Sequence, residues 1–310
     1  GERMKNEATV KRITVQGECT GKCESCEKYF DCILPLKETF QKKGILRMIQ
    51  ENLKGVKHKV IVLGGKGGVG KSMLAVNLAA GLVAQGKTVC ILDQVYDCPA
   101  IPMMTGVPED AKLRIGAKGL VPYEVYPGLK VMSTGLILKT TDVIIWYHDM
   151  KRNATEELLA ATDYGELDYL ILDIPAGTSS ETVNALKYLP DLDGGVVVTV
   201  GSEVSQNVAR KCIYILNKAN IPVIGVVENM SEAHCSHCGR SIAPIQGGAG
   251  KRMAQSEGVP FMGNIPVSEM ISLSLDEGKP FVMSHPDSEE SKTIMRASKA
   301  VIDFCENRVR

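Results

Sequence analysis

The chain has 310 residues, 44% of them hydrophobic, and 36 basic side chains balance 36 acidic ones. That length supports one large core or two modest ones. The neutral balance offers nothing to a polyanion, so neither nucleic acid nor a membrane is an expected partner, and no apolar run reaches spanning length.

The first 35 or so residues are polar, charged and rich in cysteine, with little apolar periodicity. They do not read as a signal peptide, so a cytoplasmic chain is expected. Of the 10 cysteines, Cys19, Cys23, Cys26 and Cys32 sit close together, Cys235 and Cys238 form a C-x-x-C, and Cys90, Cys98, Cys212 and Cys305 are isolated. A secreted disulfide framework needs a small exported chain, so metal or cluster binding is the better reading of the grouped thiols. The lone Cys98 is expected to be buried.

Residues 36 to 54 carry Leu36, Phe40, Ile45, Ile49 and Leu53 at helical spacing, which predicts one short amphipathic helix weakened by Gly44. From Val56 onward the pattern changes, and the expected division is an extension over 1–55 and a larger domain over 56–310. Strands are predicted at Lys59–Leu63, Thr88–Leu92, Leu129–Ser133, Tyr169–Leu172, Gly195–Val200, Val223–Val227 and Pro260–Met262. Helical stretches lie between them at Ser72–Gln85, Ser180–Tyr188 and Ser205–Ala219, and Ser288–Cys305 predicts a surface helix. Alternation of this kind predicts an α/β fold, a mostly parallel sheet with helices on both faces.

Gly65-Lys66-Gly67-Gly68-Val69-Gly70-Lys71-Ser72 fits the phosphate-loop pattern and stands between a strand and a helix, the context the pattern requires. Its glycines let backbone N–H groups converge on phosphate oxygens, the helix start adds its dipole, Lys71 neutralises the terminal phosphates, and the Ser72 hydroxyl ligates Mg²⁺. ATP with Mg²⁺ is the expected ligand, with Met73 next to the α-phosphate. Asp173 ends an apolar strand, where ligands bind in open sheets, and is expected to hold the Mg²⁺ shell. Gly177 follows in a segment able to offer an N–H to the terminal phosphate. Cys90-Ile91-Leu92-Asp93 ends another strand in a carboxylate, and the Asn229 carboxamide suits an adenine edge.

Lys66 within this loop resembles the early lysine of the deviant loop found in the class of the nitrogenase iron protein, MinD and ParA. By that resemblance Lys66 reaches a partner's nucleotide across a homodimer, and Lys66, Lys71 and Asp93 carry a slow ATPase. The class usually has a second aspartate two residues after the first to orient water. Here that position is Val95, which accepts no hydrogen bond, so turnover is less secure than binding. Asp97 could serve only after a shift in register.

The C-x-x-C alone is compatible with zinc, a redox dithiol or a cluster. Asn229-Met230-Ser231 followed by that C-x-x-C, together with Gly165 to Leu170 and Val131 to Gly135, resembles the Mrp/ApbC family of iron–sulfur carrier ATPases. The resemblance spans about Val56 to Pro286. It implies that Cys235 and Cys238 from two copies hold one [4Fe–4S] cluster for client apoproteins. The compact spacing of Cys19, Cys23, Cys26 and Cys32 suits a complete cluster site within one chain better than a zinc ribbon. It is similar to the Nbp branch of the family, with the first cysteine closer than usual. An ATP-gated electron donor would need cysteines near the switch segment, and Ile174 to Glu181 has none. A MinD-like switch would need a membrane-seeking C-terminal helix and would leave the cysteines unexplained.

Overall fold

The computed structural model describes residues 19, 22–23, 26–41, 44–137, 145–234, 237–238, 240–242 and 248–308. They fall into two compact units divided in the chain between Arg47 and Met48, where the sequence pattern alone places the change at Val56. The second half of the preceding helix goes with the larger unit because the Asn52 amide donates to the carbonyls of Leu159 and Thr162, at 2.8 and 2.7 Å.

The predicted helix over 36–54 is described on both sides of residues 42–43 as α1 (Pro35–Gln41) and α2 (Gly44–Asn52), and 42–43 themselves lie outside the described residues. In the smaller unit Tyr29 is buried against Phe40 edge to face, with ring centroids 5.7 Å apart.

The larger unit then runs β1 (Val56–Gly64), α3 (Lys71–Ala84), β2 (Val89–Asp93), α4 (Ile101–Met104), β3 (Arg114–Gly116), β4 (Gly119–Val121), β5 (Tyr123–Tyr126) and β6 (Leu129–Ser133). It continues through α5 (His148–Ala160), β7 (Leu167–Asp173), α6 (Ser180–Tyr188), β8 (Gly194–Thr199), α7 (Glu203–Lys218) and β9 (Val223–Asn229). The last elements are β10 (Ala233–His234), β11 (Ser241–Ile242), α8 (Ala249–Glu257), β12 (Phe261–Ile265), α9 (Glu269–Asp276), α10 (Phe281–Ser284) and α11 (Glu289–Glu306).

Eight strands form one sheet in the order β12-β9-β8-β1-β7-β2-β6-β5, every pair parallel except β5 on β6. Alternate residues of the central strands face opposite ways. Val60, Val62, Val89, Ile91, Ile171, Val196 and Val198 pack with Leu74, Leu78 and Leu82 of α3 and Ile294 and Val301 of α11. On the other face a Cβ at Gly195 would lie 2.5 Å from Leu216 of α7, so small size there sets the helix-to-sheet distance. Each fully buried leucine of α3 contributes about 1.5–3 kcal/mol.

All seven predicted strands occur, four of them two to four residues longer than predicted and three at their predicted length. Two expectations are corrected. The final helix does not merely lie on the surface, since Ile294, Ala297, Val301, Ile302 and Cys305 are buried. Cys98 is exposed rather than buried.

Candidate functional site

The site lies at the carboxyl ends of β1, β7 and β2, the strands at the middle of the sheet. The loop leaves β1 at Gly64 and enters α3 at Lys71. Gly70, in the left-handed region at φ 85°, caps α3 with no side chain spent on the helix's free N–H groups. A Cβ there would come within 2.1 Å of the Asn229 amide nitrogen. At Gly67 a Cβ would meet nothing within 4 Å, so packing does not demand that glycine. Gly65, Val69 and Met73 are buried, and Lys66, Gly67 and Gly68 form the exposed tip.

Lys71, Ser72 and Asp173 converge. The Lys71 ammonium pairs with Asp173 Oδ1 and donates to Ser72 Oγ at 3.2 Å. Ser72 Oγ donates to Asp173 Oδ2 at 2.6 Å. One buried carboxylate thus engages the loop lysine and the loop hydroxyl together. The donor set, a hydroxyl beside a carboxylate with an ammonium next to them, fits a hard cation carried by a polyphosphate.

Asp93 stands opposite Asp173 in the β2–β7 register. It accepts from the Val95 N–H and from Ser133 Oγ, both at 3.0 Å. Burial, then the neighbouring Asp173 charge, pushes its pKa up to about 7, against the pull of those two donors and Lys71. The two carboxylates thus end neighbouring strands, with the Lys71 ammonium paired to Asp173.

The remaining predicted residues are spread around this centre. The Gly177 N–H donates to the Gly64 carbonyl at 2.8 Å, joining the segment after β7 to the start of the loop. The Asn229 amide donates to the Val69 carbonyl at 2.9 Å and so holds the loop from the end of β9. Asp97 is engaged by Lys151 Nζ at 2.5 Å, and the same ammonium lies 2.9 Å from the buried Glu181.

Sequence reasoning passed over Gln94, Ser133 and the Lys151–Glu181 pair. Gln94 is the sharpest omission. Its side chain is fully buried between Asp93 and Val95, and neither its amide nitrogen nor its oxygen has a hydrogen-bond partner among the described residues. Its backbone N–H donates to the Asp173 carbonyl at 2.8 Å.

Residues 27–31 form tight turns between Cys26 and Cys32. The N–H of Cys26 donates to the Cys23 carbonyl, and that of Cys32 to the Tyr29 carbonyl, both at 3.3 Å. Cys19 is exposed, and Cys23, Cys26 and Cys32 are half-buried. Cys238 is exposed, and Cys235 lies outside the described residues. The antiparallel pairs Ala233–Ile242 and His234–Ser241 bracket the C-x-x-C in the chain, four residues beyond the Asn229 that holds the loop. Burial pushes the thiols of Cys90 and Cys212 up to about 12, which leaves them as apolar core residues.

Comparison with known proteins assigns the chain a family. The chain is 36% identical over 292 residues to an iron–sulfur cluster carrier protein of Methanocaldococcus jannaschii, covering 94% of this chain and 99% of that protein. A protein of the same description from Saccharolobus solfataricus is 37% identical over 260 residues, 84% of this chain and 88% of its own length. Among solved structures, a nucleotide-binding protein in complex with ADP from Archaeoglobus fulgidus superposes with a TM-score of 0.66 at 30% identity, covering 75% of this chain and 90% of that one. The cell division ATPase MinD of Pyrococcus furiosus shares the fold, with a TM-score of 0.58 at 20% identity over 80% of this chain and 99% of its own. Residues 55–302 match the family described as NUBPL iron-transfer P-loop NTPase, and the chain belongs to that family.

Proposed function

We propose that this chain is an ATP-binding carrier that holds an iron–sulfur cluster as cargo and passes it to client apoproteins. The observation that carries the proposal is the Asn229 bond to the Val69 carbonyl. It links the phosphate loop to the strand end from which the C-x-x-C segment departs, so a change at the loop has a short mechanical route to the cargo thiols.

Cys235 and Cys238 supply two thiolates, and a [4Fe–4S] cluster needs four, so two copies complete the site. Cys19, Cys23, Cys26 and Cys32 supply a separate four-thiol set within one chain. Transfer is ligand exchange. Client thiolates replace the carrier's thiolates on iron, and no electron is gained or lost. ATP binds with its phosphates on the backbone from Gly65 to Met73 and its charge met by Lys71. Mg²⁺ would be held by Ser72, with Asp173 in its shell, and would supply further neutralisation of the phosphates. Lys66 reaches the partner's nucleotide, and Asn229 and Gly177 adjust as the loop fills, Asn229 toward the base. If water attacks the γ-phosphate, Asp93 is the carboxylate that would orient it.

The test is anaerobic reconstitution with iron and sulfide, followed by transfer to an apo iron–sulfur enzyme. Activation of the client is expected. A Cys235→Ala, Cys238→Ala protein should lose transfer while keeping the cluster on the N-terminal thiols. Undiminished transfer by that variant would sink the bridged-cluster proposal.

A further inference from the structure

At the opposite end of β1 from the phosphate loop, three ligand-bearing side chains meet. They are His58 of β1, Asp193 just before β8, and Cys305 in the last turn of α11. One donor atom from each lies within 4.8 Å of the other two, and no other such trio occurs among the described residues. The N-terminal cysteines do not converge in this way. His58 lies six residues from Gly64, roughly 20 Å along the strand, so this cluster is separate from the nucleotide site.

Its geometry is that of a site for one ion. Asp193 and Cys305 are buried, while the His58 side chain keeps 15% exposure and gives a way in. His58 Nδ1 and Asp193 Oδ1 are 3.4 Å apart, long for a hydrogen bond. A tetrahedral ion with bonds of about 2.0–2.1 Å sets two such ligand atoms roughly 3.3 Å apart.

The surroundings also orient the ligands. Asp193 Oδ2 accepts the Lys59 N–H at 2.8 Å, which turns Oδ1 toward His58. The Asp193 N–H donates to the Lys59 carbonyl at 2.8 Å, and the Arg308 guanidinium donates to the Asp193 carbonyl at 2.8 Å. The His58 ring lies against Tyr169, with centroids 5.1 Å apart. Outer contacts of this kind are what fix ligands on a metal.

We infer that His58, Asp193 and Cys305 bind one divalent cation of the zinc class, with water in the fourth position. One thiolate, one carboxylate and one neutral imidazole balance the charge of such an ion, and the mixed soft and hard donors suit zinc or cobalt over magnesium or calcium. The ion ties the C-terminal helix to the start of the central strand.

The test uses the full-length chain with Cys19, Cys23, Cys26, Cys32, Cys235 and Cys238 changed to serine. No cluster site then remains, and the result is independent of the carrier proposal. Anaerobic titration with Co²⁺ should saturate at one equivalent, giving tetrahedral visible bands and a near-ultraviolet thiolate-to-cobalt band, both displaced by Zn²⁺. Adding Cys305→Ser should abolish the near-ultraviolet band. Adding His58→Gln, at a partly exposed position, should weaken cobalt binding by about tenfold or more with the metal-free melting temperature unchanged. No thiolate band in the parent, or an unchanged titration in His58→Gln, overturns the assignment and leaves a plain His–Asp contact. If Cys305→Ser does not fold, the His58→Gln titration decides alone.

Discussion

Gly70 and Asn229 make one joint of the phosphate loop, and their contact can be tested as a pair. Gly70→Ala places a side chain at φ 85° and drives its Cβ to 2.1 Å from the Asn229 amide. The backbone strain is about 1–2 kcal/mol, and the overlap adds about 1–3 kcal/mol. Asn229→Ala alone loses one buried bond, about 1 kcal/mol. The double variant should recover the steric part and leave the strain, so urea unfolding should show a coupling of about 1 kcal/mol or more. Additive losses would mean that the two residues do not meet as described. Gln94 and Val95 invite a second measurement. Gln94 buries two unpartnered polar atoms, so Gln94→Met should raise the unfolding free energy of the empty protein by about 1–2 kcal/mol. Val95→Asp restores a water acceptor two residues beyond Asp93 and should raise ATP turnover about tenfold or more. Turnover at the parent rate would show that water is oriented elsewhere.

Between strands, Asp168 does the joining at the amino end of the sheet. It sits in β7, takes the Lys57 ammonium of β1 at 2.8 Å, and accepts the Thr88 N–H and hydroxyl at 2.8 and 3.0 Å ahead of β2. Burial works against its charge, but those donors outweigh it and bring its pKa down to about 2. A carboxyl depressed in the folded state adds stability above its unfolded pKa, about 4, and that stability is lost as pH falls through about 2. Lys57 is largely solvent-exposed, so Asp168→Asn should cost only about 1 kcal/mol at pH 7. Parent and variant should converge as pH falls below 2 in urea unfolding, and a constant gap would refute the account. The same strand shows why so much of the fold was legible. Leu167 to Asp173 is a nearly unbroken apolar run because β7 is covered on both faces, and a loop pattern marks where β1 ends. Less legible were the elements whose burial is partial. The four residues of β5 form an edge strand with no fully buried side chain, and α5 buries only Thr155, Leu158 and Leu159 among charged neighbours. The loop residues declared themselves through spacing. Gln94 did not, since nothing in a sequence says that a glutamine lacks partners.

Across the whole molecule, the two loop lysines have opposite settings, and that contrast bears on assembly. Lys71 is buried against Asp173 and Ser72, whereas Lys66 is exposed at the loop tip with no ion-pair partner among the described residues. A lysine about 4 Å from a phosphate gains about 4 kcal/mol in partly screened surroundings, close to a thousandfold in affinity. If Lys66 served the nucleotide of its own chain, Lys66→Ala would cost much of that in the monomer. If it serves a partner's nucleotide, monomer affinity should stay within about threefold, while ATP-dependent doubling of mass in sedimentation is lost. Lys71→Ala should lose about a hundredfold or more in affinity in either case. On the proposed bridging of the cluster, the partner-serving outcome is the expected one, because the C-x-x-C would then give each copy half of a four-thiolate set. The nucleotide and the cargo then ask for the same second subunit. A Lys66→Ala protein that binds ATP as a monomer but holds no cluster on Cys235 and Cys238 would tie these requirements together. One that keeps that cluster without dimerising would separate them and show that two copies are not needed to hold it.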